Sequence, residues 1–150
     1  MELINTVGEF PVTIVNPQLV ERENNAFDVV VSFVTEDKTK YINHNIIFDS
    51  HIFQSGSHQG DYRFRVNAEL CEKLGMTAPF DPANIEQLEG KKASITTVED
   101  TFKGKTSIKV QWVNQRREKI DKKKASDIWA KMNEGLQPID ATGTDDEKPY

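Results

Sequence analysis

The chain has 150 residues, 37% of them hydrophobic and 29% charged, which suits one modest core over residues 1–133 and a tail over residues 134–150. No apolar run approaches the roughly 20 residues that cross a bilayer, Met1-Glu2-Leu3-Ile4-Asn5 lacks the basic start and long apolar run of a signal peptide, and the single cysteine, Cys71, has no partner for an internal disulfide. The net charge of −5 is segregated into −8 over residues 1–90, +7 over residues 91–131 and −4 over residues 132–150, so a region suited to a polyanion adjoins an acidic one. A soluble cytoplasmic protein without a membrane partner is expected.

Strands come first along the chain. Residues 10–20 alternate loosely and contain Pro11 and Pro17, as a bent or edge strand would. An exposed edge there would allow pairing between two chains, and so a homodimer. Phe27-Asp28-Val29-Val30-Val31-Ser32-Phe33-Val34 is β-branched and aromatic, the mark of a buried strand. After the polar turn 35–39, residues 40–48 place Ile42, Ile46 and Phe48 on one face and Tyr41, Asn43 and Asn45 on the other. Residues 50–60 form a mobile Gly/Ser loop. Tyr62-Arg63-Phe64-Arg65-Val66 alternates as a short strand or an extended lead into the next helix, with Arg63 and Arg65 on one face.

Two helices follow. Asn67 is expected to cap a helix over 68–74 that Gly75 ends. Asp81 caps the next, with Pro82 in its first turn, Ile85 and Leu88 facing the core and Gly90 closing it. Residues 91–98 and 106–113 then read as strands joined by the hairpin loop 99–105. On the second of them Ile108, Val110 and Trp112 share the core face by alternation. Ile128, Trp129 and Met132 give a last helix, 125–133, one apolar stripe for packing. Cys71 lies in the first helix with no cation beside it and reads as a small core residue.

Three strands, a helical insert and two strands are the order of an OB-fold: a mainly β, five-stranded barrel with its helix between strands three and four, followed here by a C-terminal helix and a disordered acidic tail. The Leu88-Glu89-Gly90-Lys91-Lys92 lead into strand four, the Lys103-Gly104-Lys105 hairpin and the Asp145-Asp146-Glu147-Lys148-Pro149-Tyr150 segment extend the likeness. With these features the chain resembles the bacteriophage-type single-stranded DNA-binding proteins. The resemblance implies binding of single-stranded DNA without catalysis or cofactor, in replication, recombination or repair. It also implies that Asp145, Asp146, Glu147, Pro149 and Tyr150 recruit a replication or recombination protein. Bacterial members of this class end in acids, Pro and usually Phe; Lys148 and Tyr150 depart from that pattern.

Single strands are held by cations along the phosphates and by aromatic rings stacked on bases. Phe102, in the hairpin loop, is the leading stacking candidate. Tyr41 shares a strand face with Asn43 and Asn45, and Phe53 lies in the loop that can close over a strand. The phosphate candidates are Lys40, Arg63, Arg65, Lys103, Lys105, Lys109, Arg116 and Arg117. The acidic tail, five acids against one Lys from Glu134 onward, is expected to compete with DNA for this groove.

Other chemistries are weaker on the residues. His44, His51 and His58 recur every seven residues near Asp49, without the tight ligand pairs that zinc favours, and no metal is expected. Asp49, Glu99 and Asp100 near Lys103 would have to serve a metal-dependent nuclease, but their spacing identifies no two-metal centre. A protein-interaction adaptor that ignores nucleic acid is the remaining alternative.

Overall fold

A computed structural model describes residues 1–116 and 119–135. The chain divides into two units, Met1–Arg116 and Arg117–Tyr150. The first is mainly β. Its strands are β1 (Glu2–Leu3), β2 (Gly8–Arg22), β3 (Ala26–Thr35), β4 (Lys40–Phe48), β5 (Lys92–Phe102) and β6 (Lys105–Gln115). They form one open, mixed six-stranded sheet in the order β1-β4-β3-β2-β5-β6. All pairings are antiparallel except that of β1 with β4.

β2 is the hinge of the sheet. Its first part pairs β5, from Gly8 opposite Thr97 to Thr13 opposite Lys92, and its later part pairs β3, from Val12 opposite Thr35 to Arg22 opposite Ala26. Pro17 falls inside the register shift between Val15 and Gln18, where a missing N–H costs no ladder bond. Only Val12 and Thr13 lie opposite both partners, so the rest of the segment expected as an edge, residues 10–11 and 14–20, has a ladder partner on one side at most.

Inward side chains follow the two-residue period of the strands. Val12 and Ile14, Val29, Val31 and Phe33, Ile42, Ile46 and Phe48, Ala93 and Ile95, and Val110 are buried together. α1 (Arg63–Leu74) adds Cys71 and Leu74, the following segment adds Met76, and a short 3-10 helix (Pro82–Leu88) adds Leu88. Each Val, Leu, Ile, Phe or Met among them stabilises the fold by roughly 1.5–3 kcal/mol relative to exposure. Phe27, Phe48 and Phe80 stack in series at 4.8 and 4.9 Å between ring centroids. Buried Thr97 is satisfied: its hydroxyl accepts from the Gly8 amide at 3.0 Å and donates to the Thr6 carbonyl at 2.7 Å. Burial pushes the Cys71 thiol up to about 12, so it is an inert core residue as expected.

Two expectations are corrected here. Residues 62–66 are not a strand: α1 begins at Arg63, and Asn67 lies inside it, not at its cap. The Asn67 side chain instead donates to the Ile47 carbonyl at 2.7 Å, tying α1 to β4. Alternation over Tyr62–Val66 misled because the first turn of α1 projects from the core and its exposed residues mimic a strand's outer face. The second correction is the hairpin: β5 runs to Phe102 and β6 starts at Lys105, leaving a two-residue turn, Lys103-Gly104, with φ of 52° and 79°. Positive φ at both positions matches the primed turns that suit the strand twist, and Gly104 adopts it without strain.

Asp81 caps the 3-10 helix as expected, accepting from the Ala83 amide at 2.9 Å. In the second unit, α2 (Lys122–Glu134) is capped by Asp121, which accepts from the Lys124 amide at 2.7 Å. None of Ile128, Trp129 and Met132 is buried, with Trp129 at 64% exposure, so the packing role expected for this stripe is not found. Among the described residues of its unit α2 is the one regular element, with no second one to bury that stripe against. No helix among the described residues is long and apolar enough to cross a membrane.

Candidate nucleic-acid interface

Trp112 was expected in the core, and it lies outside. The register of β5 against β6 passes from Thr96 opposite Trp112 to Thr97 opposite Val110, so Gln111 is an extra residue on β6. An extra residue reverses which face the following side chains take. Val110 is therefore buried, Trp112 points outward with 59% of its surface exposed, and Val113 takes over the inward role.

The bulge completes a surface. Trp112 now shares the outward face of β5–β6 with Lys109, opposite Val98, and with the pair Phe102 and Lys105 at the hairpin end. Phe102 is 70% exposed, and the Lys103 ammonium sits 5.4 Å from its ring centroid. Phe102 lies six residue steps along β5 from Thr96, the partner of Trp112, which spans roughly 20 Å at about 3.3 Å per residue. Lys109 is within 3.4 Å of Asp100 on the same face. Among the described residues no carboxylate pairs with Lys103 or Lys105. The structure thus brings Phe102, Lys103, Lys105 and Lys109 together and adds Trp112, which alternation alone misplaced. A signal was present, since Trp112 and Val113 are adjacent apolar residues in a strand with one buried face, so one of them had to point outward.

The other expected residues do not join this surface. Tyr41 lies on the outward face of β3–β4 with Asn43 and Asn45 as anticipated, but that face is occupied by its own hydrogen bonds. Ser32 donates to Asn43 at 2.6 Å, and Asn45 donates to Asp28 at 2.8 Å. Arg22 donates to both oxygens of Asp28 at 2.9 Å. Lys40 is half-buried at the start of β4, where its charge helps hold the Asp37 carboxyl below the usual range after the Thr39 and Thr35 hydrogen bonds. Arg63 is bonded through two nitrogens to Asp49, and this bond holds the Asp49 carboxyl below its usual range. Arg65 stacks over Tyr62 and Phe64, 5.9 and 5.7 Å from their centroids, rather than standing opposite them beside Arg63. Arg116 pairs with Glu36 of the β3–β4 turn. Arg117 and the tail residues Asp145, Asp146, Glu147, Pro149 and Tyr150 lie outside the described residues.

Phe53 is half-buried in a closed loop: its amide donates to the Asp61 carbonyl at 3.1 Å and its carbonyl accepts from Gly60 at 2.9 Å. His51 and His58 flank its ring at 5.9 and 6.3 Å. His44 lies apart on β4 against Phe33 at 6.0 Å, and burial pushes its imidazole down to about 4, with Asp28 opposing the shift. Among the described residues no group of three His, Cys, Asp or Glu could hold a metal ion. Asp49 at the end of β4 and Glu99 and Asp100 on β5 are separated by β3 and β2, so these carboxylates do not converge.

No model of a known protein family matches the chain, and no curated protein sequence matches it.

Proposed function

We propose that the chain binds single-stranded DNA without sequence preference, in the service of replication, recombination or repair. The observation that carries this reading is the pair of exposed rings, Phe102 and Trp112, on one strand face with Lys103, Lys105 and Lys109. Rings of this kind stack on any base, and the ammonium groups neutralise phosphates without reading sequence. An OB barrel is the finer fold reading. It is supported by the double pairing of β2 with β3 and β5, by the helical insert between β4 and β5, and by α1 packing against both β4 and β6. The acidic segment 140–150 then competes with DNA for the lysines and recruits a partner protein, a role that rests on its charge alone.

The test is fluorescence anisotropy of a labelled dT oligomer against the matching duplex, at low and moderate salt. Tight single-strand binding that weakens with salt and leaves the duplex largely unbound is expected. Removal of residues 140–150 should tighten binding at low salt. Absence of single-strand binding at low salt would overturn the reading and leave the adaptor role.

A further inference from the structure

A second feature adjoins the β5–β6 face and belongs to neither the sheet core nor the stacking row. Between β6, α1 and the loop that carries Phe53 lies a cleft of about 410 Å³, lined by His44, Phe53, Ser57, Asn67, Gln111 and Trp112 among others. Its volume falls within the usual range for small-molecule sites, about 300–1,000 Å³. We infer that this cleft takes one unstacked nucleobase of the bound strand, an inference that rests on the single-stranded DNA reading above.

Three observations lead there. First, the cleft carries aromatic rings, with Trp112 on its rim, Phe53 in its loop wall and His44 against Phe33, and flat rings are the surfaces on which bases stack. Second, most of its polar groups are uncharged, the amides of Asn67, Gln111, Asn114 and Gln115 and the hydroxyls of Ser55 and Ser57. Asn67 spends its N–H on the Ile47 carbonyl and keeps its side-chain oxygen as an acceptor. Gln111 is the bulge residue, left without a partner opposite in the β5 register. Lys73 and Glu69 contribute one charge of each sign, and His44 is neutral near pH 7. Such a lining, with Lys73 offset by Glu69, suits the donor and acceptor edge of a neutral base better than a phosphate. Third, Trp112 belongs both to the outward face of β5–β6 and to the cleft rim. A strand stacked along that face therefore passes the cleft mouth, and one base can turn inward while its phosphates stay with the lysines. Turning out one base of a strand that is already single costs little beyond its stacking.

The experiment compares a dT octamer with an octamer of the same sugar-phosphate backbone lacking bases, on the full chain and on Ser57→Trp, whose indole would fill the cleft from the loop side. The dT octamer should bind Ser57→Trp about tenfold more weakly than the unaltered chain, a loss within the range of one stacked base. The abasic octamer should bind both proteins equally. Equal dT affinity for both proteins would overturn the base pocket and leave DNA binding intact. Equal losses for both octamers would also overturn it, since the cleft would then serve the backbone. No dT binding by the unaltered chain would sink the pocket and the DNA reading together. In the unaltered chain, dTMP at millimolar concentration should move the His44 ring resonances while deoxyribose 5-phosphate leaves them in place; the same shift from both would overturn the inference without any variant.

Discussion

The outward faces of β2–β3–β4 and of β5–β6 belong to one sheet and obey the same alternation, yet their chemistry differs. On the first, polar side chains are bonded to one another: Arg22 and Asn45 meet on Asp28, and Ser32 bonds Asn43. On the second, Phe102 and Trp112 stand exposed and, among the described residues, Lys103 and Lys105 have no carboxylate partner. A polar group already bonded within the protein gains little from a ligand, because binding only exchanges one bond for another. A strand face rich in polar residues is therefore not by itself a binding face; what its groups already touch decides. Lys40 and the Tyr41 face were attractive on the sequence because what engages Lys40, the Thr35–Asp37 turn, and what engages Asn43 and Asn45 beside Tyr41, Ser32 and Asp28, lie on other segments.

The sharpest way to break the contrast is to cut the bonded face. Asp28 is 4% exposed and receives three hydrogen bonds, two of them from a guanidinium. Asp28→Ala should lower stability by about 1.5–3 kcal/mol, the range for hydrogen bonds to charged groups, as read by urea unfolding. Affinity for dT oligomers, measured where the variant is folded, should stay unchanged. A large affinity loss in a folded Asp28→Ala protein would move the interface onto β2–β3–β4.

His44 offers the next test, in pH. Its imidazole is held near 4 in the fold against an ordinary value of 6.5, so the folded protein resists a proton that the unfolded chain accepts. Stability should be full above about pH 6.5 and decline as pH falls toward about 4. The loss should reach about 2 kcal/mol at pH 5, since each tenfold difference in proton affinity between the two states corresponds to about 1.4 kcal/mol. Asp37 and Asp49, both below the usual carboxylate value of 3.8, contribute under that window. His44→Gln should flatten the profile between pH 7 and 5, and an unchanged slope in that variant would exclude His44 as its source.

Much of the architecture was legible because the core residues repeat at the strand period and interruptions fall at turn residues. β4 matches its expected bounds, Lys40–Phe48, and Asp81 caps where Pro82 announces a helix start. What failed needed non-local information. The side on which Trp112 emerges depends on one extra residue, Gln111, and its consequence appears only when β6 is laid against β5. Whether Arg63 is available depends on Asp49, fourteen residues away, and whether Arg116 is available depends on Glu36 across the fold. Charge can be counted in a sequence, but its neutralisation belongs to the tertiary structure.

On the open face, Trp112→Ala should weaken dT binding about tenfold, the scale of one stacked base. Its effect on stability should stay within about 0.5 kcal/mol, as for exposed positions. Arg63→Ala should leave dT affinity unchanged, because its partner is Asp49 and no ligand is needed to satisfy it. A stability loss of core size in Trp112→Ala would restore the packing role that alternation first assigned to this residue.

The smallest effect separates two lysines that a sequence treats alike. Lys105 and Lys109 both face outward on β6, but Lys109 stands 3.4 Å from Asp100 and Lys105 has no carboxylate beside it among the described residues. A lysine that releases a counterion from DNA contributes about 0.7 to the slope of log affinity against log salt for a single strand. Lys105→Gln should reduce that slope by about this amount. Lys109 must first part from Asp100, so its contact with phosphate is partly cancelled within the protein, and Lys109→Gln should change the slope by less. Asp100→Asn should then raise affinity modestly at low salt and make Lys109→Gln as costly as Lys105→Gln. Equal slopes for the two single lysine variants in the unaltered Asp100 background would show that exposed ion pairs on this face are too weak to matter, as many surface pairs are. In that case the distinction between the two faces would rest on Phe102 and Trp112 alone.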